Sequence, residues 1–185
     1  GYLLKGTLMN LHFESALLHR DKTDRLFIAA FPKEERPPIR LLYRRHRQGK
    51  ADFRAVMDGK TYVGLVLITG CETVKTLMFF AIEEDLRGKG YGGRILDMLK
   101  EEFGHMPFFL CAEPLDETAD NAQERINRLQ FYAHNGFHEI GLHVKEAGVE
   151  YTILTPGTPL NHSQYKAATL PFFGWLRYLL ICRKV

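Results

Sequence analysis

Glu83-Glu84-Asp85-Leu86-Arg87-Gly88-Lys89-Gly90-Tyr91-Gly92-Gly93-Arg94-Ile95-Leu96 joins a strand-like run, 76–82, to a helical one. The helical pattern starts inside it, with Tyr91, Ile95, Met98, Leu99 and Phe103 on one face. Gly88, Gly90, Gly92 and Gly93 stand at that helix start with Arg87 and Lys89. Glycine permits positive φ and lets a ligand come close to the main chain. The first helical turn carries unpaired N–H groups and the positive end of the helix dipole. Together these predict an anion cradle suited to phosphates. Arg87, Lys89 and Arg94 add mobile positive charge.

Three patterns compete for the loop. A nucleotide-hydrolase phosphate loop ends in Gly-Lys-Ser/Thr, so that a hydroxyl can hold magnesium. Gly88-Lys89 is followed by Gly90, which excludes it. The dinucleotide pattern G-x-G-x-x-G is met formally by Gly88, Gly90 and Gly93, with Glu113 where a ribose-binding acid would sit. That fingerprint needs its first glycine directly after the strand, and here residues 83–87 intervene. A dinucleotide-binding protein is therefore the weaker alternative. The third pattern, R-x-x-G-x-G, is filled by Arg87, Gly90 and Gly92.

This third pattern resembles the acyl-coenzyme A signature of the GNAT superfamily of N-acetyltransferases. Phe80-Ala81-Ile82 looks like the end of that family's fourth strand. Phe131-Tyr132-Ala133-His134-Asn135-Gly136-Phe137 is similar to the F-Y-x-x-x-G-F that closes its fourth helix. The two motifs come in the family's order, and the resemblance covers roughly 52–154. It implies an α+β fold, mixed α/β, with a central, mostly antiparallel sheet flanked by helices. The fourth and fifth strands would run parallel and splay apart between Ile82 and Ala112, admitting acyl-coenzyme A.

The resemblance also implies site residues. Acetyl-coenzyme A would be held by Phe80, Ala81, Ile82, Arg87, Gly88, Lys89, Gly90, Tyr91, Gly92 and Gly93. A backbone N–H near Ile82 would stabilise the developing oxyanion. Tyr132 occupies the general-acid position, and a phenol with a pKa of about 10 is protonated at neutral pH. Many relatives carry an asparagine seven residues before this tyrosine, where the chain has Arg125. Asn127 is out of register but is retained as a candidate cofactor contact. Arg125 and Arg128 are alternatives for a phosphate. For the general base the candidate is Glu113, after the fifth strand, with Asp116 and Glu117 in the next loop. Glu83 and Glu84 would repel a diphosphate, so they point outward or toward the substrate amine.

Composition agrees. The 185 residues favour one domain, and 45% hydrophobic with 25% charged content is ordinary for a globular protein. A net charge of +3 is too small to argue for nucleic acid but suits a polyanionic cofactor. Cys71, Cys111 and Cys182 form neither a metal pair nor a disulfide framework, which favours a reducing, cytoplasmic setting. The eight histidines make no metal motif. No secretory leader is visible. Met9 reads as a candidate initiator, with 1–8 added ahead of it. Residues 165–185 read as an apolar helical extension. Its apolar stretch, 170–182, is too short to span a membrane and is interrupted by Arg177. It would pack on the body or on a second copy, as in a homodimer; the alternative is an interfacial membrane anchor ending in Arg183 and Lys184.

The remaining elements are read coarsely. A first strand spans 11–18. Helices span 24–31 and 37–48, and strands 52–57, 60–69 and 73–82, the first two joined at Asp58-Gly59. Then come a helix from 91 to 103, a strand at 107–112, a helix at 120–134 and a hairpin of 138–145 with 149–155. The acceptor, a small-molecule or peptide amine, would meet the early helices and this last hairpin. Glu34-Glu35 could attract a cation. The basic run Arg40, Arg44, Arg45, Arg47 and Lys50 lacks interleaved aromatics and reads as a solvated face. The expected activity is direct acetyl transfer to a primary amine in a ternary complex. The alternative is a non-catalytic module that senses coenzyme A.

Overall fold

The structure, a computed structural model, describes residues 9–33, 36–146, 148–157 and 159–174, and the backbone of 182–184. The expectations for 1–8 and for Glu34-Glu35 lie outside the described residues.

The strands are β1 (Leu11–Ser15), β2 (Asp52–Asp58), β3 (Thr61–Cys71), β4 (Val74–Ile82), β5 (Phe108–Ala112), β6 (His138–Glu146), β7 (Val149–Thr155) and β8 (Cys182–Lys184). Among the described residues they form one sheet in the order β1-β2-β3-β4-β5-β7-β6-β8. The helices are α1 (Arg20–Ala30), α2 (Ile39–Arg47), α3 (Tyr91–Phe103), α4 (Ala122–His134) and α5 (His162–Phe173). All pairings are antiparallel except β4 with β5.

Helices cover both sheet faces, so β3 is buried continuously from Tyr62 to Thr69 rather than on alternate residues. Tyr62, Leu65 and Leu67 join the core under α1 and α2. Val63, Val66 and Ile68 join the core under α3, with Phe131 and Tyr132 of α4 at its rim. A third cluster packs α5, through Tyr165 and Ala168, on Val74, Phe109, Val144 and Ile153.

The feature that makes the site is the parting of β4 from β5. Only Lys75↔Phe108, Thr76↔Phe109 and Leu77↔Leu110 are paired. The β3–β4 register shifts between Leu67 and Ile68, leaving Met78 as the extra residue. Met78 and Phe79 therefore both face the α1/α2 core, while Leu77 and Phe80 face the α3 side. A bulge bends its strand and raises the local twist. From Met78 to Ile82, β4 has no β5 partner, and β5 goes on to pair with β7 through Leu110, Cys111 and Ala112.

Several boundaries differ from the sequence reading. The first strand stops at Ser15, whose hydroxyl accepts from Leu17 N (3.3 Å) and starts a 3-10 turn into α1. The helix read at 24–31 thus begins four residues earlier, at Arg20. The apolar tail is not one helix over 165–185. The α5 helix starts at His162 under an Asn161/Gln164 capping box and closes at Gly174, at φ 76° and ψ 158°. Residues 182–184 pair with β6 as β8, and 175–181 lie outside the described residues. No helix among the described residues is long and apolar enough to cross a membrane.

Candidate functional site

The glycine loop closes the open end of β4. Glu83 N still donates to Val63 O of β3 (2.9 Å). A 3-10 turn, Glu84–Leu86, follows, and Arg87 is extended, its Nε donating back to Ile82 O (3.2 Å). Gly88 (φ 72°) and Gly90 (φ 86°) take the left-handed conformation. A Cβ at Gly88 would meet nothing within 4 Å, and one at Gly90 only Met9 Cε at 3.9 Å. Residues 87–90 are all exposed. The α3 helix opens with Arg94 N donating to Gly90 O (3.3 Å). The N–H groups of Tyr91, Gly92 and Gly93 thus have no intrahelical acceptor. No acidic side chain sits in this first turn. Tyr91 OH anchors the turn by donating to Asp58 Oδ2 (2.7 Å).

The other two glycines serve packing. A Cβ at Gly92 would stand 2.9 Å from Phe131 Cζ and 3.3 Å from Ile82 Cδ1. One at Gly93 would stand 2.8 Å from Asn135 Oδ1. Asn135 is itself fixed: its Nδ2 donates to Phe131 O (2.8 Å), and its carbonyl accepts from Lys100 Nζ (2.9 Å). The two sequence motifs therefore meet in space, Gly92-Gly93 against Phe131 and Asn135.

The main chain of β4 forms the cleft edge. Because Glu83 N points to β3, so do the groups of Ala81. A Cβ at Gly64 would overlap the Ala81 carbonyl, which agrees. Phe80 and Ile82 alternate to the other side, where β5 has departed, so their N–H and C=O groups border the gap. Their side chains pack under α3, while Ala81 packs under α1 and α2.

Tyr132 is half-buried on α4, its ring 5.4 Å from Phe131 and 6.0 Å from Phe137. Its hydroxyl makes no hydrogen bond with any described residue. Burial pushes its pKa up to about 12, and the positive charge of Arg128 partly opposes this.

Glu113, the sequence candidate for a base, is clamped. It is 6% exposed and forms ion pairs with Arg125 Nη2 (2.8 Å) and Arg128 Nη1 (3.1 Å). Asn121 Nδ2 adds a third bond (3.2 Å). Its oxygens are thus turned to Asn121 and to the arginines of α4. The same contacts occupy Arg125, whereas Arg128 keeps 42% of its side chain exposed. Arg125 also donates to Asn121 Oδ1 (2.7 Å) and Pro114 O (3.2 Å). Asn127 is exposed and accepts from Gln123 Nε2 (2.9 Å). It precedes Tyr132 by five residues, roughly 140° around the helix from it, so the structure does not bring the two together. Asp116 lies on the surface, its carboxyl held below the usual range by Thr118, which donates from its hydroxyl and backbone N–H.

Sequence reading missed two features. One is the Met78 bulge, which no motif signals. The other is the clamp, foreshadowed by two arginines at i and i+3 on the helix after a buried acid. Glu83 is half-buried at the end of β4, 3.6 Å from Arg25 Nη2 on α1. Among the described residues, no group of three or more His, Cys, Asp or Glu could hold a metal ion.

The family model described as acetyltransferase (GNAT) domain matches residues 19–155. A structure described as a GNAT-family acetyltransferase from Bacteroides thetaiotaomicron superposes with a TM-score of 0.68 at 22% identity, covering 84% of this chain and 92% of its own. An aminoglycoside 6'-N-acetyltransferase complexed with coenzyme A gives 0.61 at 15% identity, over 83% and 100%. Arabidopsis thaliana Naa50, in complex with the bisubstrate analogue CoA-Ac-MVNAL, gives 0.56 at 11% identity, over 80% and 99%. No curated protein matches the sequence.

Proposed function

Because the chain belongs to the GNAT acetyltransferase family, we propose that it moves the acetyl group of acetyl-coenzyme A directly to a primary amine. Both substrates would be bound at once. The observation that carries this is the junction of two open main-chain surfaces. The edge of β4 left by β5 beyond Leu77 leads, through the loop 83–90, to the uncapped N-terminus of α3.

The residues present fit the donor. The N–H groups of Tyr91, Gly92 and Gly93 suit its diphosphate, with Lys89 and Arg87 adding charge. The open β4 groups at Phe80 and the Ile82 N–H suit the amides of its pantetheine arm, the Ile82 carbonyl being taken by Arg87 Nε. When bound, the donor supplies a thioester carbonyl and a thiolate leaving group. An N–H at the end of β4 stabilises the charge that develops on that carbonyl oxygen. Tyr132 donates its proton to the departing sulfur. Its hydroxyl has no competing partner among the described residues, and its raised pKa keeps it protonated. A lysine-type amine, with a pKa of about 10.4, arrives almost wholly protonated at pH 7. Glu83, on the α1 side of the same strand end, is the carboxylate we assign to removing that proton, directly or through water.

An amine panel tests the reading. Acetyl-coenzyme A is mixed with the protein and with aminoglycosides, polyamines or peptides with free N-termini, and thiol release is measured. Release that depends on one amine class is expected. Tight coenzyme A binding with no release for any amine would instead favour the sensing module, a reading supported by the clamping of Glu113. Absence of coenzyme A binding would reject both.

A further inference from the structure

Arg125, Arg128 and Tyr132 are spaced i, i+3 and i+7 on α4 and so share one face. That face meets the end of β5 at Glu113. Two arginines against one glutamate leave one positive charge in excess. Arg125 is 17% exposed, and each of its three guanidinium nitrogens has a partner, in Glu113, Asn121 and Pro114. Arg128 differs. It is 42% exposed, and Glu113 is its one hydrogen-bond partner among the described residues. It is also the one charged group that acts on Tyr132; none from α3, β5 or the turn into β6 does so among the described residues.

Resting on the reading above, we propose that Glu113 is a positioning residue. It parks Arg128 so that the surplus positive charge of the clamp stands beside the Tyr132 hydroxyl. A carboxylate at the end of β5 thereby serves proton donation without touching either substrate. The charge of Arg128 favours loss of the Tyr132 proton to the sulfur, and it also favours the thiolate that accepts it.

The sign of one titration separates this from other roles. Tyr132 is replaced by difluorotyrosine, whose phenol titrates in an accessible range, and its midpoint is followed by fluorine NMR. Arg128→Met should raise the midpoint by about half a unit, since a nearby cation is removed. Glu113→Gln should raise it too, because Arg128 is no longer held. If Glu113 acted through its charge alone, removing a negative charge would lower the midpoint. A lowered or unmoved midpoint in Glu113→Gln therefore overturns the positioning role. An unmoved midpoint in Arg128→Met overturns the whole proposal. Glu113→Gln strands two arginines and can fail to fold, so Glu113→Asp is the second variant. It keeps the charge and shortens the reach, and it too should raise the midpoint; an unmoved one counts against positioning. The titration needs no acceptor amine, so its failure is distinguishable from failure of the acetyl-transfer reading.

Discussion

Replacing Tyr132 with phenylalanine is expected to lower kcat by about 100-fold, the usual yield of one positioned acid, with coenzyme A affinity unchanged. The ring keeps its contacts with Phe131 and Phe137, so the change removes one hydroxyl and little packing. That hydroxyl has no partner among the described residues, so none of them is left unsatisfied by its loss. The pH profile carries the sign. The folded-state pKa of Tyr132 lies at about 12, so the phenol stays protonated through pH 9 and its deprotonation produces no fall in that range. The parent rate should instead rise with pH as the acceptor amine loses its proton. In Tyr132→Phe the same rise should persist at a lower level, because the base and the amine are untouched. Steady-state kinetics with the amine found in the panel, and calorimetry with coenzyme A, read both parts. A variant with parental kcat would remove Tyr132 from the chemistry. A variant that lost cofactor affinity in step with rate would make it a binding residue.

What could be read ahead of the structure divides along physical lines. The α3 helix was legible to the residue, because its buried stripe of Ile95, Leu99 and Phe103 repeats at helical spacing behind a glycine start. The β2–β3 hairpin was legible from Asp58-Gly59, Gly59 supplying the positive φ (57°) that the turn needs. Both are local. The parting of β4 from β5 is not local. It depends on Met78 slipping out of register with β3, and nothing in 76–82 distinguishes a bulged strand from a regular one. The resemblance supplied the splay, and the structure supplied its cause.

Glu113 shows a different limit. An acid after a buried strand reads equally as a free base or a clamped anchor, and the answer lies in the next helix, in Arg125 and Arg128. The tail shows a third. An apolar run interrupted at Arg177 reads as a single helix, yet Gly174 ends α5 and 182–184 pair with β6 as a strand.

The glycines at the start of α3 share one letter but not one task, and a pair of substitutions should separate them. Gly90→Val is expected to weaken coenzyme A binding at least tenfold. Among the described residues a Cβ at Gly90 meets only Met9 Cε within 4 Å, so the branches of valine are expected to project into the exposed cradle. The left-handed backbone at φ 86° adds strain of about 1–2 kcal/mol for a residue with a Cβ. Gly90→Ala carries the Cβ strain without the branching that makes valine the costlier residue at positive φ. Gly90→Ala should therefore lose melting temperature, though less than Gly90→Val, while keeping most of its affinity, which separates steric blockage from backbone cost.

Gly92→Val should do the reverse. Its Cβ would stand 2.9 Å from Phe131 Cζ and 3.3 Å from Ile82 Cδ1, and its branches closer still. Overpacking of this kind costs about 1–3 kcal/mol and pries α3 from α4. A lower melting temperature is expected first, with affinity falling because the cradle is displaced rather than filled. Calorimetry with coenzyme A and thermal melts on the three variants give both quantities. If Gly90→Val bound coenzyme A as the parent does, the diphosphate could not lie on the N-terminus of α3. The open edge of β4 would then have to be the whole of the donor site, and the match between loop and ligand would be lost.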